Sequence, residues 1–391
     1  MKTTLRLALV TSFISLSVGS ASAQSAPDAA ETPPPFTLSG YAEAYYSYNF
    51  NQPSNGITAF RGFDSRHNSF AISNVALDAQ WDAHNVVGRV MLQVGQTPST
   101  YYLGETSIVG GGGVAGGDAS LWKYIQQAYA GYRFGTEHPL LVSGGLFLSP
   151  IGPESIPVRD SWNWSRSNLF FGLPFYHVGA RAALNITDEW VATLGVYNGW
   201  NSALDNNPQK SIQAQLTYNR PDHLSVSMLY MGGTERNAGA AEGKPWRHLF
   251  DAYALWTVNT RLSLMLHGDV GFEPNTFGTS SWAAAAAYAR VKLVDGLFVA
   301  ARADVFYEHL AANASGSASP IFFPASWVSS GTLTLEARPA DHVSFRLEFR
   351  HDQAASQIYY GGDVSGDGTS MPFLANSRAQ NTLTLGATAW F

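Results

Sequence analysis

Val343-Ser344-Phe345-Arg346-Leu347-Glu348-Phe349-Arg350 is the stretch that decides how this chain folds. Its odd positions are all apolar and its even positions all polar or charged. Successive side chains of a β-strand point to opposite faces, so as a strand this octet has one greasy face and one strongly charged face. A helix of period 3.6 would mix the two sets. The same period of two recurs along the chain. Ile212, Ala214, Leu216 and Tyr218 oppose Gln213, Gln215, Thr217 and Asn219. Leu262, Leu264 and Leu266 oppose Ser263, Met265 and His267. The closing segment sets Leu383, Leu385, Ala387, Ala389 and Phe391 against Thr382, Thr384, Gly386 and Thr388.

From about Thr37 to Phe391, sixteen segments of nine to fourteen residues alternate in this way. The gaps between them alternate as well, long then short. The short ones hold three to five residues, as in Asp82–Asn85, Ile186–Glu189, Arg220–His223 and Val294–Gly296, and the long ones nine to twenty-seven. Fifteen gaps, eight long and seven short, put all tight turns at one end. A soluble sandwich has little reason for that asymmetry; an outer-membrane barrel has tight periplasmic turns and long external loops. The expected fold is therefore all-β, a transmembrane antiparallel up-and-down barrel of about 16 strands, with 14 to 18 as the bounds. The run Ala283–Ala287 favours helix by propensity, but Tyr288, Arg290 and Lys292 continue the alternation and keep it a strand.

The rest of the sequence agrees with export to a membrane. Residues 1–23 read as a cleaved signal peptide: Lys2 and Arg6, a mostly apolar Leu7–Val18, and Ala21-Ser22-Ala23 before the cut. Residues 24–36 read as a Pro-rich periplasmic lead-in ending in Pro33-Pro34-Pro35, and 37–391 as the barrel. No apolar run reaches the roughly 18 residues of a membrane helix. Aromatics stand near the expected interfaces: Trp81, Phe134, Trp190 and Trp256 by short turns, Tyr230, Phe272, Trp282 and Trp327 by long loops. The 29 acidic residues exceed the 23 basic ones, two of which lie in the signal, and no basic stripe invites nucleic acid. With no cysteine, disulfides and thiolate metal sites are excluded.

Strand parity assigns the interior. It places Arg89, Arg133, Arg181, Arg290, Lys292, Arg302, Arg346 and Arg350 inside, with Glu43, Asp78, Asp251, Asp269, Asp304, Glu336 and Glu348. Unpaired charges in a dry wall are too costly, so these imply either a water-filled lumen or an interior ion-pair network. The near-balance of signs points to weak selectivity, because strong selectivity needs rings of one sign.

The third long gap is the richest in content: Ser149-Pro150-Ile151-Gly152-Pro153-Glu154, then Trp162-Asn163-Trp164-Ser165-Arg166-Ser167 and Pro174-Phe175-Tyr176-His177. A loop of this length with two tryptophans packs on something, either on its neighbours at the surface or inside the lumen as a constriction. The run from Asn163 to Ser167, through Pro174–His177 to Gly179-Ala180-Arg181, resembles the OmpL-like β-barrel porin family. So do the opening Leu38–Tyr46 and the closing strand, and the resemblance spans about Phe36 to Phe391. It implies an outer-membrane porin and directs attention to Asn163, Ser165, Arg166, Pro174, Tyr176, His177, Gly179 and Arg181. It also implies a homo-oligomer, and a terminal Phe391 read by the barrel-insertion machinery.

Enzyme readings find weak support. His223 and Ser225, like His342 and Ser344, share a face as lipase chemistry would need, but that face is the lumen and not lipid. Asp64 with His67, or His351 with Asp352, imitates a rim protease without forming a full constellation. Gly361–Gly368 carries Asp, Ser and Gly in a calcium-like spacing without the distal Glu. The expectation is a channel with no cofactor, metal or catalytic residue, surrounded by outer-membrane lipid and passing small hydrophilic solutes. The alternative is a plugged barrel with a binding or structural role.

Overall fold

The computed structural model describes residues 35–102, 122–205 and 207–391. The signal segment 1–23 and most of the lead-in 24–36 lie outside the described residues. Sixteen strands form one closed barrel. They are β1 (Phe36–Asn49), β2 (Ser69–Ala83), β3 (Val86–Val94), β4 (Ile125–Phe134), β5 (Leu140–Leu148), β6 (Tyr176–Asn185), β7 (Trp190–Tyr197), β8 (Ser211–Arg220), β9 (Leu224–Thr234), β10 (Trp246–Thr257), β11 (Leu262–Asn275), β12 (Gly278–Val294), β13 (Leu297–His309), β14 (Trp327–Ala340), β15 (Val343–Ala354) and β16 (Ala379–Trp390). Each pairs antiparallel with its neighbours in sequence, and β16 closes on β1 from Tyr41↔Trp390 to Asn49↔Thr382. Closure leaves no open edge, so every strand finds its hydrogen bonds inside the protein, as a membrane demands.

Parity behaves as alternation predicts. Leu266, Leu194, Ile72 and Phe70 point outward with 62–84% of their surface exposed. In water such a band would be untenable; against lipid it is the expected surface. The alanine run lies in β12, with Ala283, Ala285 and Ala287 outward and Ala284 and Ala286 buried inward. Pairing with both β11 and β13 overrides its helical propensity. The small inward alanines share one apolar cluster with Leu169 and Leu173 of the loop joining β5 to β6.

Two expectations need correction. Trp282 is not an interface residue. It is 3% exposed and faces the interior, where its ring meets Trp200 and Phe322. Its even parity, shared with Ala284, Ala286 and Tyr288, overrides its nearness to a loop. The external connection between β11 and β12 is not long but a two-residue turn, Thr276-Phe277. There the strand alternation simply continues upward, and Asn275 turns the chain by accepting the Phe277 N–H at 2.9 Å.

Candidate functional site

The third loop, residues 149–175, runs into the barrel interior instead of over its rim. A loop taken out of water must find partners for its backbone groups, and the charged inner wall supplies them. Four carboxylates accept its N–H groups. Glu43 takes Val158 at 2.6 Å. Glu348 takes Trp164 at 2.6 Å and Ser165 at 2.9 Å. Asp304 takes Asn168 at 3.1 Å, and Asp251 takes Gly152 at 3.2 Å. Three guanidinium groups donate to its carbonyls. Arg346 reaches Val158 at 2.7 Å and Ser161 at 2.8 Å, and Arg302 reaches Ser165 at 2.6 Å and Arg166 at 3.2 Å. Arg350 donates to the Arg166 carbonyl as well. The mixed charges of β1, β10, β13 and β15 thus serve as a template for one loop backbone.

Within the loop, Arg166 gathers the carbonyls of Ser155, Ile156 and Trp164. Removal from water lowers the pKa of its guanidinium, against the pull of Glu43 and Glu154. The same loss of water raises the Asp160 carboxyl, despite Arg159 at 3.5 Å. Glu154 accepts from Ser167 and from Arg302 at 3.1 Å, and Ser167 caps the short helix Asn168–Phe171. Asn163 donates to Thr334 at 2.7 Å. Trp164 lies over Gly386, where a Cβ would stand 2.1 Å from the ring. Trp162 is half-buried against the interior apolar cluster, and Pro174 is buried. Tyr176 stacks on Tyr102 at 4.5 Å, and His177 faces the Gly199 carbonyl at 3.0 Å and Ser149 Oγ at 3.3 Å. Those last contacts pin the loop's two roots.

The remaining interior charges pair within the wall. Arg89 meets Asp78 at 2.7 Å and Arg133 meets Asp82 at 2.7 Å. Glu336 holds Arg290, Arg338 and Arg346 at 2.6, 3.0 and 2.9 Å. Among the described residues Arg181 has no ion pair; it rests on the Phe147 ring at 4.1 Å. Asp269 is 2% exposed, and neither of its oxygens has a hydrogen-bond partner. Sequence reasoning missed the first loop, residues 50–68, as a second interior element. Its Arg61 donates to Asp352 at 3.1 Å and to Thr382 at 2.8 Å, and Phe63 packs on Phe170. Asp352 was legible by parity as an interior residue, whereas nothing local distinguished Arg61 from an exposed loop arginine.

The family described as "Putative beta-barrel porin-2, OmpL-like" matches residues 35–391. The chain belongs to this family and is an outer-membrane β-barrel porin. Solved structures with the same fold include the outer membrane channel DcaP of Acinetobacter baumannii, at 10% identity and TM-score 0.58, covering 91% of this chain and 97% of that one. The outer membrane protein OmpT of Vibrio cholerae in its trimer form has 10% identity and TM-score 0.56, covering 91% and 99%. An anion-selective porin from Comamonas acidovorans has 12% identity and TM-score 0.56, with the same coverage. At these identities the likeness concerns the fold alone. No curated protein matches the chain by sequence.

Other groups singled out in this porin's sequence are engaged elsewhere. Ser225 donates to Asn219 at 2.7 Å and not to His223. Asp64 and Asp352 are both bound by Arg61, while His351 is exposed beside Asn381. In the glycine-rich last loop, Asp367 accepts the N–H groups of Thr369, Ser370 and Met371. Those bonds, with the Ser370 hydroxyl, pull its carboxyl well below the usual range. Its oxygens are spent on the loop itself.

Proposed function

We propose that this porin passes small hydrophilic solutes by diffusion through a narrow eyelet, and that the third loop sets its size. The carrying observation is the hydrogen-bonded seam from Val158 to Asn168, which ties the loop to β1, β13 and β15. The wall of β7 to β9 carries no charge on its inner face. It presents Thr193, Gln213, Gln215, Thr217 and Ser227, with Gln215 bonded to Ser227 at 3.0 Å. Such a wall suits water and neutral solutes, offering donors and acceptors without a strong field. The passage runs along this wall, past Arg181 on the adjoining β6. Glu43, Arg302, Asp304, Arg346, Glu348 and Arg350 act as the loop's anchors, whereas Arg181 is a partly exposed cation beside the passage that has no ion pair among the described residues. Selectivity is accordingly weak, with a slight preference for anions.

Reversal potentials across a salt gradient test this reading. Folded protein in planar bilayers should show stepwise conductance with a small anion preference, and Arg181→Glu should move the reversal potential toward cations. Conductance steps with a potential unchanged by that substitution would remove Arg181 from the path. The plugged-barrel alternative predicts no steps until the loop is released. The porins' oligomeric habit is proposed for this chain too, with chemical crosslinking in native membranes as its check.

A further inference from the structure

On β10 and β11, Asp251 lies directly opposite Asp269, and both side chains face inward. Like charges in directly opposed positions destabilise a sheet. His267, two residues before Asp269, is 4% exposed and meets Asp251 Oδ2 through Nε2 at 2.6 Å. That contact answers one carboxylate. The other is poorly answered: both Asp269 oxygens are buried, and no contact to either reaches hydrogen-bond geometry. The Trp282 indole N–H is its nearest donor, close enough to attract the carboxylate but short of hydrogen-bond geometry. One donor atom from each of Asp251, His267 and Asp269 falls within 4.8 Å of the other two. A buried carboxylate without donors carries a large desolvation cost, and nothing else in the mechanism of a passive channel uses it.

We propose that these three residues form a divalent-cation site in the barrel wall. One imidazole nitrogen and two carboxylates form the donor set of borderline and hard transition ions such as zinc or manganese; no thiolate is present to favour soft ones. Zinc holds such donors at about 2.0–2.2 Å, so Asp269 moves toward His267 and Asp251, and the cation takes the place of the Nε2···Asp251 hydrogen bond; a neutral ring shifts its proton to Nδ1, which has no other partner, and a charged ring releases it to solvent. The site also touches the third loop. Gly152 donates its N–H to Asp251 Oδ1 at 3.2 Å, and a Cβ there would stand 3.1 Å from the His267 ring. A bound cation therefore stiffens the first turn of the loop that narrows the channel.

Isothermal titration of the folded, detergent-solubilised protein with zinc and with manganese tests the site. The expected result is one ion per chain for at least one of the two metals. Asp269→Asn, which keeps the shape and removes the orphaned charge, should weaken it by at least about tenfold. His267→Ala should do the same. Heat-modifiable migration on gels verifies that each variant is still a closed barrel. Binding unchanged in Asp269→Asn would place the ion elsewhere and overturn the proposal. Absence of stoichiometric binding of either metal to wild type would overturn it too.

Discussion

The Trp164 indole occupies the volume that a side chain at Gly386 would need: a Cβ at that position would stand 2.1 Å from the ring. The inner face of β16 otherwise reads Gln380, Thr382, Thr384, Thr388 and Trp390, and the one residue without a side chain marks where the third loop lands. Gly386→Val suits a strand by propensity, so its effect isolates this contact. It should cost about 1–3 kcal/mol by overpacking and displace Trp164. Urea unfolding followed by tryptophan fluorescence reads the cost, and conductance reads the displaced loop; a variant identical to wild type in both would show that Trp164 does not rest there.

Glu348 receives two loop N–H groups and the Thr334 hydroxyl. Glu348→Ala leaves both N–H groups buried and unanswered, at about 1–3 kcal/mol each. Glu348→Gln keeps one acceptor oxygen and should cost less. Limited proteolysis and single-channel noise should rank the variants Ala, Gln, wild type from most to least disturbed. Equal behaviour of the two substitutions would argue against this hydrogen-bonding role.

Much of the fold was legible because alternation is a local property. Most strands announce their inward face within four or five residues, the nearly all-apolar Leu140–Leu148 excepted, which is why Arg302, Arg346, Glu348 and Arg350 could be assigned inside before any contact was known. Contacts between distant segments have no such local signature. Arg61 reads as a surface arginine until it is seen against Asp352, 291 residues away. Trp282 was misplaced because its closeness to a loop was weighed above its parity. The β11–β12 turn was overestimated because the strands continue upward without a change in composition. Whether the third loop turned inward or lay on the rim depended on the complementarity of wall charges with backbone groups, which spacing does not encode.

Glu235 lies just outside β9 and links two external loops, accepting the Trp200 N–H at 2.7 Å and a bond from the Ser211 hydroxyl. Loss of water pushes its carboxyl up from 4.5 to about 7, with Arg247 pulling the other way. The folded state therefore binds this proton more tightly than the unfolded chain does. The stability it contributes is complete below about 4.5 and is lost as pH rises through about 7. Protease resistance of the 198–210 and 235–245 loops should fall between pH 5 and pH 8, and Glu235→Gln should flatten that dependence. A dependence that persists in Glu235→Gln would assign it to another group.

On the reading proposed above, the third loop, seated across the lumen, limits the passage. Planar-bilayer recordings of wild type beside a variant lacking Trp162–Phe171 test it most directly. A loop that limits the passage gives small conductance steps in wild type and clearly larger ones in the deletion, both from barrels that remain heat-modifiable. Steps of equal size in the two proteins would contradict it.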